Sequence, residues 1–130
     1  MAWNRHGTLG TWEGAFGGPL SQTATLGTGL RGGIQQPAVA LDAGGRALVA
    51  WTAPVRNRPG DPTARSRQFA ALRPAGGVFG APAPLGPEFQ SPEAVAAALL
   101  PADRTLVVWR AFDTEALAGR DDRALYASRG

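Results

Sequence analysis

Cysteine is absent from this 130-residue chain, which excludes a disulfide scaffold, a thiolate metal site and a cysteine nucleophile. Lysine is absent too, and all 13 basic residues are arginine. There is one histidine, His6, one isoleucine, Ile34, and one tyrosine, Tyr126. A single histidine excludes a histidine-built zinc site by count. A Ser-His-Asp relay would have to use His6, and none of Ser21, Ser66, Ser91 and Ser128 sits in a Gly-x-Ser-x-Gly elbow. No apolar run approaches the roughly 20 residues that span a bilayer. The opening Met1-Ala2-Trp3-Asn4-Arg5-His6 lacks an apolar core, so neither a signal peptide nor a membrane partner is expected. Charged residues make up only 18% of the chain, too few for a disordered acidic or basic tail.

What is present is 44% hydrophobic residues, 18 glycines and 11 prolines. The length suits one domain, able to bury roughly two-thirds of its unfolded surface. Arginine, alanine, glycine and proline all have GC-rich codons, whereas lysine, isoleucine and tyrosine do not. The net charge of +3 is therefore read as the product of a high-GC gene, and no nucleic-acid partner or cofactor is expected.

Self-similarity is the strongest signal. Three segments end on an apolar run closed by tryptophan: Ala2-Trp3, Ala47-Leu48-Val49-Ala50-Trp51 and Thr105-Leu106-Val107-Val108-Trp109. The last two follow another apolar run and a polar turn, at Asp42-Ala43-Gly44-Gly45-Arg46 and at Pro101-Ala102-Asp103-Arg104. Strand, tight turn and strand make a hairpin. A shorter strand follows each tryptophan, Gln68 to Arg73 and Leu125 to Arg129, with Thr8 to Trp12 in the same place after Trp3. Glycine-rich turns closing on Phe-Gly come next, at Gly14-Ala15-Phe16-Gly17 and Gly76-Gly77-Val78-Phe79-Gly80, and then a proline and a leucine. The tryptophans are spaced by 48 and 58 residues and the phenylalanines by 63, a period near that of a propeller blade. The Ala-rich stretch Pro92 to Leu100 has helical propensity, but its alignment with the hairpin at Pro37 to Trp51 predicts a strand. The runs 47–51 and 105–109 are almost continuously apolar, as in strands covered on both faces, so Trp51 and Trp109 are expected to pack between sheets.

The order of apolar hairpin, Asp-Ala-Gly-Gly turn, Val-Ala-Trp, polar loop and Leu-Arg-Pro-Ala-Gly-Gly-Val-Phe-Gly resembles the repeats of β-propeller proteins of high-GC bacteria, which are loosely similar to sialidase blades. The resemblance is best over Pro37 to Pro82 and weaker over Pro92 to Gly130. The sialidase Asp box does not carry over, since Trp51 lies too far beyond Asp42-Ala43-Gly44. The resemblance implies an all-β fold of propeller-like blades: a partial unit at 1–20 and four-stranded units at 21–80 and 81–130. Proteins of that family are often secreted or surface-bound. Fewer than about four blades do not make a ring, so the chain is expected either to be part of a longer propeller or to close a ring of five to seven blades as a dimer or trimer.

The segments after the tryptophans are rich in arginine and carboxylates. Arg56, Arg58, Arg110 and Arg120, with Asp113 and the indoles of Trp51 and Trp109, are the candidate ligand-binding set, suited to an anionic sugar or phosphate. No catalytic residue and no metal ligand is assigned; a calcium site at Asp113, Glu115, Asp121 and Asp122 has no diagnostic spacing. The expected function is a non-catalytic module that binds a glycan or protein or builds a scaffold. The alternative is a propeller hydrolase acting on a glycoside or phosphoester, for which Asp42 and Asp103 at matching turns are the candidate carboxylates.

Overall fold

The computed structural model describes residues 2–5, 8–15, 17–27, 34–56, 65–89, 91–112 and 124–129. These form ten strands: β1 (Ala2–Arg5), β2 (Thr8–Glu13), β3 (Ser21–Leu26), β4 (Gln35–Leu41), β5 (Ala47–Arg56), β6 (Arg65–Arg73), β7 (Ala83–Phe89), β8 (Ser91–Leu99), β9 (Thr105–Phe112) and β10 (Ala124–Arg129). Among the described residues there is no helix, and hence none long and apolar enough to cross a membrane. Every pairing is antiparallel. The first sheet is β1-β2-β3, the second β4-β5-β6-β7 and the third β8-β9-β10. The chain is an all-β protein of three antiparallel meanders.

The Ala-rich stretch is strand β8, held in register with β9 through Ala96↔Val108, Ala97↔Val107 and Ala98↔Leu106. Local helix preference is worth only tenths of a kcal/mol per residue, and the cross-strand pairing outweighs it. The boundaries of the sheets differ from those of the repeat. Unit 21–80 contributes β3 to the first sheet and β4 to β6 to the second, and unit 81–130 contributes β7 to the second and β8 to β10 to the third. Each unit thus hands its first strand to the sheet before it, because the Phe-Gly turn folds that strand back onto the one it follows.

The second sheet is covered on both faces. Alternation along β5 sends Val49, Trp51 and Ala53 into a cluster with Leu9 and Leu26 of the first sheet. Leu48 and Ala50 enter a second cluster with Val107, Trp109 and Ala111 of the third. All five residues Ala47 to Trp51 are at most 3% exposed, which is why this run has no polar alternation. The corresponding run in β9 differs: Val107 and Trp109 are buried, but Leu106 and Val108 are half-buried. Among the described residues only the second sheet packs on the third, and its outer face stays open. The expected two-sided burial thus holds for β5 and not for β9.

Trp51 and Trp109 occupy matching places, each the fifth residue of its strand and each turned toward the preceding sheet. Trp51 is stacked on its cross-strand neighbour Phe69, centroids 6.1 Å apart and planes at 20°. Each indole also lies against a left-handed glycine of the preceding sheet, Gly27 directly after β3 and Gly86 within β7. A Cβ on Gly27 (φ 71°) would come within 3.5 Å of Trp51 Nε1, and one on Gly86 (φ 60°) within 3.0 Å of Trp109 Cζ2.

The sheets are not parallel slabs. Cα atoms of β4 and β8 approach within 8 Å, closer than the roughly 10 Å of ordinary sheet packing. Alanines Ala38, Ala40 and Ala97 in these strands leave room for that approach. Toward β6, β7 and β9 the second and third sheets part and leave a groove between them. The layers are wedged, narrow at their first strands and wide at their last.

Candidate functional site

Two features stand out at the end of the stack that carries the hairpin turns. The first is a pair of arginine clamps. Arg46 closes the β4–β5 turn by donating from Nε to Asp42 Oδ2 at 2.6 Å, while its amide donates to Asp42 Oδ1 at 2.9 Å. The same guanidinium reaches the β8–β9 turn, donating to Asp103 Oδ1 at 2.9 Å and to the Leu100 carbonyl at 3.2 Å. Arg73, at the end of β6, pairs with Glu13 of β2 and donates to the Gly45 carbonyl at 3.2 Å. Its guanidinium also lies 5.6 Å from the Phe79 ring centroid, a cation–π contact. One arginine ties the second sheet to the third, and the other ties it to the first.

The second feature is the groove. It has a volume of about 210 Å³ and is lined by side chains including Leu48, Ala70, Leu72, Ala83, Leu85 and Val107. Further along β5 and β6 lies a polar pair: Gln68, fully buried, accepts a hydrogen bond at Oε1 from the Thr52 hydroxyl at 2.8 Å. The apolar walls of the groove suit a side chain or an apolar ligand rather than an anion.

Of the residues singled out from sequence, Trp51 and Trp109 are 1% and 2% exposed. Both rings are sealed between sheets and present no face on which a ligand could stack. Arg110 is exposed on β9. Arg56 is the last residue of β5 and pairs through its backbone with Arg65. Arg58, Asp113 and Arg120, together with Glu115, Asp121, Asp122 and His6, lie outside the described residues. Among the described residues no three His, Asp or Glu side chains gather to hold a metal ion.

Arg46 and Arg73 were not among the residues picked out from sequence. The signal that points to them is their position directly after a glycine turn or directly before one. A guanidinium there can reach across the turn and, with its length, to the neighbouring sheet.

The hydrogen bond from the Arg46 side chain, followed by that from the Arg46 amide, holds the Asp42 carboxyl below its ordinary value. A general acid needs the opposite, a carboxyl raised toward neutrality. Asp42 and Asp103 share one guanidinium, which suits a structural tie better than a pair flanking a scissile bond. A carboxylate with a depressed folded-state value stabilises the fold above its unfolded value of about 3.9 and loses that contribution as pH falls through the folded one. The wild-type melting temperature is therefore expected to hold between pH 7 and 5 and to fall below about pH 4. Asp42→Asn should start lower and show a shallower acid decline. An identical acid profile in the variant would remove Asp42 from the tie.

Comparison with protein-family models, with curated proteins and with solved structures finds no match to the chain. The class is defined by the fold alone: an all-β protein of stacked antiparallel sheets with an arginine-bridged turn end.

Proposed function

We propose that the chain is a non-catalytic β-propeller module that binds a ligand or serves as a scaffold, and that two copies complete its ring. The observation that carries this reading is the wedge. Sheets that converge on alanine-rich first strands and diverge at their last strands, with a tryptophan of each sheet set into the one before, pack as blades do around an axis.

The outer faces favour closure by a second copy. On the first sheet Gly10 and Trp12 alternate away from the second sheet, and the Trp12 ring lies over Gly10. On the third, Leu106 and Val108 of β9 sit beside Ala98 and Ala96 of β8, all at least partly exposed. Stacking the first sheet of one copy on the third of the other would bury both faces by a head-to-tail contact that closes. Three sheets per chain make six in a dimer and nine in a trimer, and rings usually hold about four to eight blades. The dimer is the better fit.

The ligand surface in this reading is the end opposite the arginine clamps, where β5 and β9 terminate at Arg56 and Phe112. Arg110, exposed toward the end of β9, would recognise an anionic glycan or a carboxylate-bearing partner there by bidentate contacts.

Light scattering across the micromolar range should give twice the 13.4 kDa chain mass. A stable folded monomer at all concentrations overturns the ring. Turnover of a chromogenic glycoside or phosphoester by the wild type and not by Asp42→Ala would overturn the non-catalytic reading in favour of a hydrolase.

A further inference from the structure

The groove between the second and third sheets has a counterpart one sheet earlier, and there it is filled. Phe79, on the Gly-rich turn after β6, packs against the cluster formed by Leu9, Leu26, Val49 and Ala71 between the first and second sheets. The correspondence follows from register. Trp51 pairs with Phe69 as Trp109 pairs with Tyr126. Val49 and Ala47 therefore correspond to Val107 and Thr105, both of which line the groove. On the preceding sheet, Trp3 pairs with Gly10, so Thr11 and Glu13 correspond to the groove residues Ala70 and Leu72. Glu13 is held by Arg73, the arginine that also covers Phe79. The first notch thus receives the aromatic side chain of a Phe-Gly turn that follows the third strand of the next sheet.

In the third sheet that third strand is β10, which ends the sheet with no neighbour on its outer side among the described residues. Phe-Gly turns follow β2 and β6, the strands that hold the same place in the first two sheets. The groove is also continuous with an interface already formed, since Leu48, Ala70, Leu85 and Val107 belong both to it and to the cluster joining the two sheets.

We infer that this groove and the open edge of β10 form a docking site for one kind of partner: an extended segment that adds antiparallel to β10 and places an aromatic residue, carried on a glycine-rich turn, between the second and third sheets. Backbone pairing along β10 supplies affinity, and the apolar notch selects the aromatic, as in other strand-addition sites. The walls explain the selection. Alanines at 70, 81 and 83 leave the width, Leu72 and Leu85 make the sides, and among the described residues no charged side chain lines the notch. The inference rests on the stacked-sheet reading proposed above but does not require ring closure.

A peptide of residues 74–89, the chain's own Phe-Gly turn and β7, serves as the probe. Calorimetric titration into the intact protein should give saturable one-to-one binding, and the same peptide with Phe79→Ala should bind roughly tenfold more weakly or worse. Ala81→Trp in the protein, at the exposed rim of the groove, should abolish binding while the circular dichroism and melt stay those of the wild type. Val78→Ser, an exposed position away from the groove, should change nothing. No binding by the wild-type peptide, equal binding by the alanine peptide, or full binding to the folded Ala81→Trp protein would each overturn the site. The molar mass reads the ring and the peptide reads the groove. A monomer that takes the peptide sinks the ring alone, and a dimer that ignores it sinks the docking site alone.

Discussion

Replacing Trp109 by alanine is expected to destabilise the protein by about 3–5 kcal/mol, the usual cost of emptying a buried tryptophan site. The ring is 2% exposed and fills the space between the second and third sheets, against Leu48, Ala50, Ala70 and Phe89. Leu48, Leu85, Phe89 and Leu99 share that interface, but the indole is its largest side chain and the alanines Ala50, Ala70 and Ala111 beside it cannot reach into the space it would leave. Trp51→Ala should cost a similar amount at the other interface, where the ring is 1% exposed and also loses its stack on Phe69. A domain of this size is stable by about 5–15 kcal/mol in total, so either variant should lower the denaturation midpoint sharply. Val78→Ala, at an 82% exposed position, is the control and should move stability by less than about 0.5 kcal/mol. A denaturation curve of Trp109→Ala that overlays the wild type would refute the structural role of the repeated tryptophan.

The second large effect is expected from Gly86→Val, which removes the socket instead of the ring. Gly86 has φ 60° and lies where a Cβ would stand 3.0 Å from Trp109 Cζ2. A β-branched residue is strained in the left-handed region by about 1–3 kcal/mol. Pushing the indole away adds an overpacking cost of about 1–3 kcal/mol. The two costs have different signatures. Gly86→Val should shift the Trp109 environment, seen as altered near-ultraviolet dichroism, as well as lowering the melting temperature. In a Trp109→Ala background the overpacking part should vanish and the backbone part remain, a coupling that a double-mutant cycle reads directly. Equal losses from Gly86→Val with and without the tryptophan would show that the contact is not under compression.

Some of the fold is local enough to be read along the chain. The hairpins at Asp42–Arg46 and Pro101–Arg104 are short-range structures whose turn residues and flanking apolar runs lie within a few positions of each other. The turn hydrogen bonds Asp42 N to Arg46 O and Leu100 N to Arg104 O complete them. The run Ala47 to Trp51 announces burial on both faces by its lack of alternation. β3 and β7 are less legible. Ser-Gln-Thr-Ala-Thr-Leu carries little apolar pattern, and Ala-Pro-Leu-Gly-Pro-Glu-Phe holds two prolines, which only an edge strand tolerates well. That is why the units 21–80 and 81–130 begin one strand away from the sheets.

The candidate site was less legible still. The arginines selected for their position after the tryptophans include Arg110, exposed on β9, and Arg58 and Arg120, which fall outside the described residues. The arginines that do join the sheets, Arg46 and Arg73, meet partners 57 and 60 residues away, a separation invisible to any local pattern. Gln68 is similar. It occupies the place that Leu9 holds one sheet earlier, and nothing in Arg-Ser-Arg-Gln-Phe predicts that its amide is fully buried or bonded to Thr52.

The sequence by itself determined the all-β class, the two hairpins and the burial of Trp51 and Trp109, because strand propensity, turn chemistry and two-residue alternation act between neighbours in the chain. Only the tertiary structure decided which sheet receives each repeat's first strand, which arginines bridge sheets and which interface is left with an open notch. Those depend on how side-chain volumes meet across sheets. At Phe79 the meeting fills the notch, and at the wall of Ala70, Ala83 and Val107 it leaves about 210 Å³ unfilled.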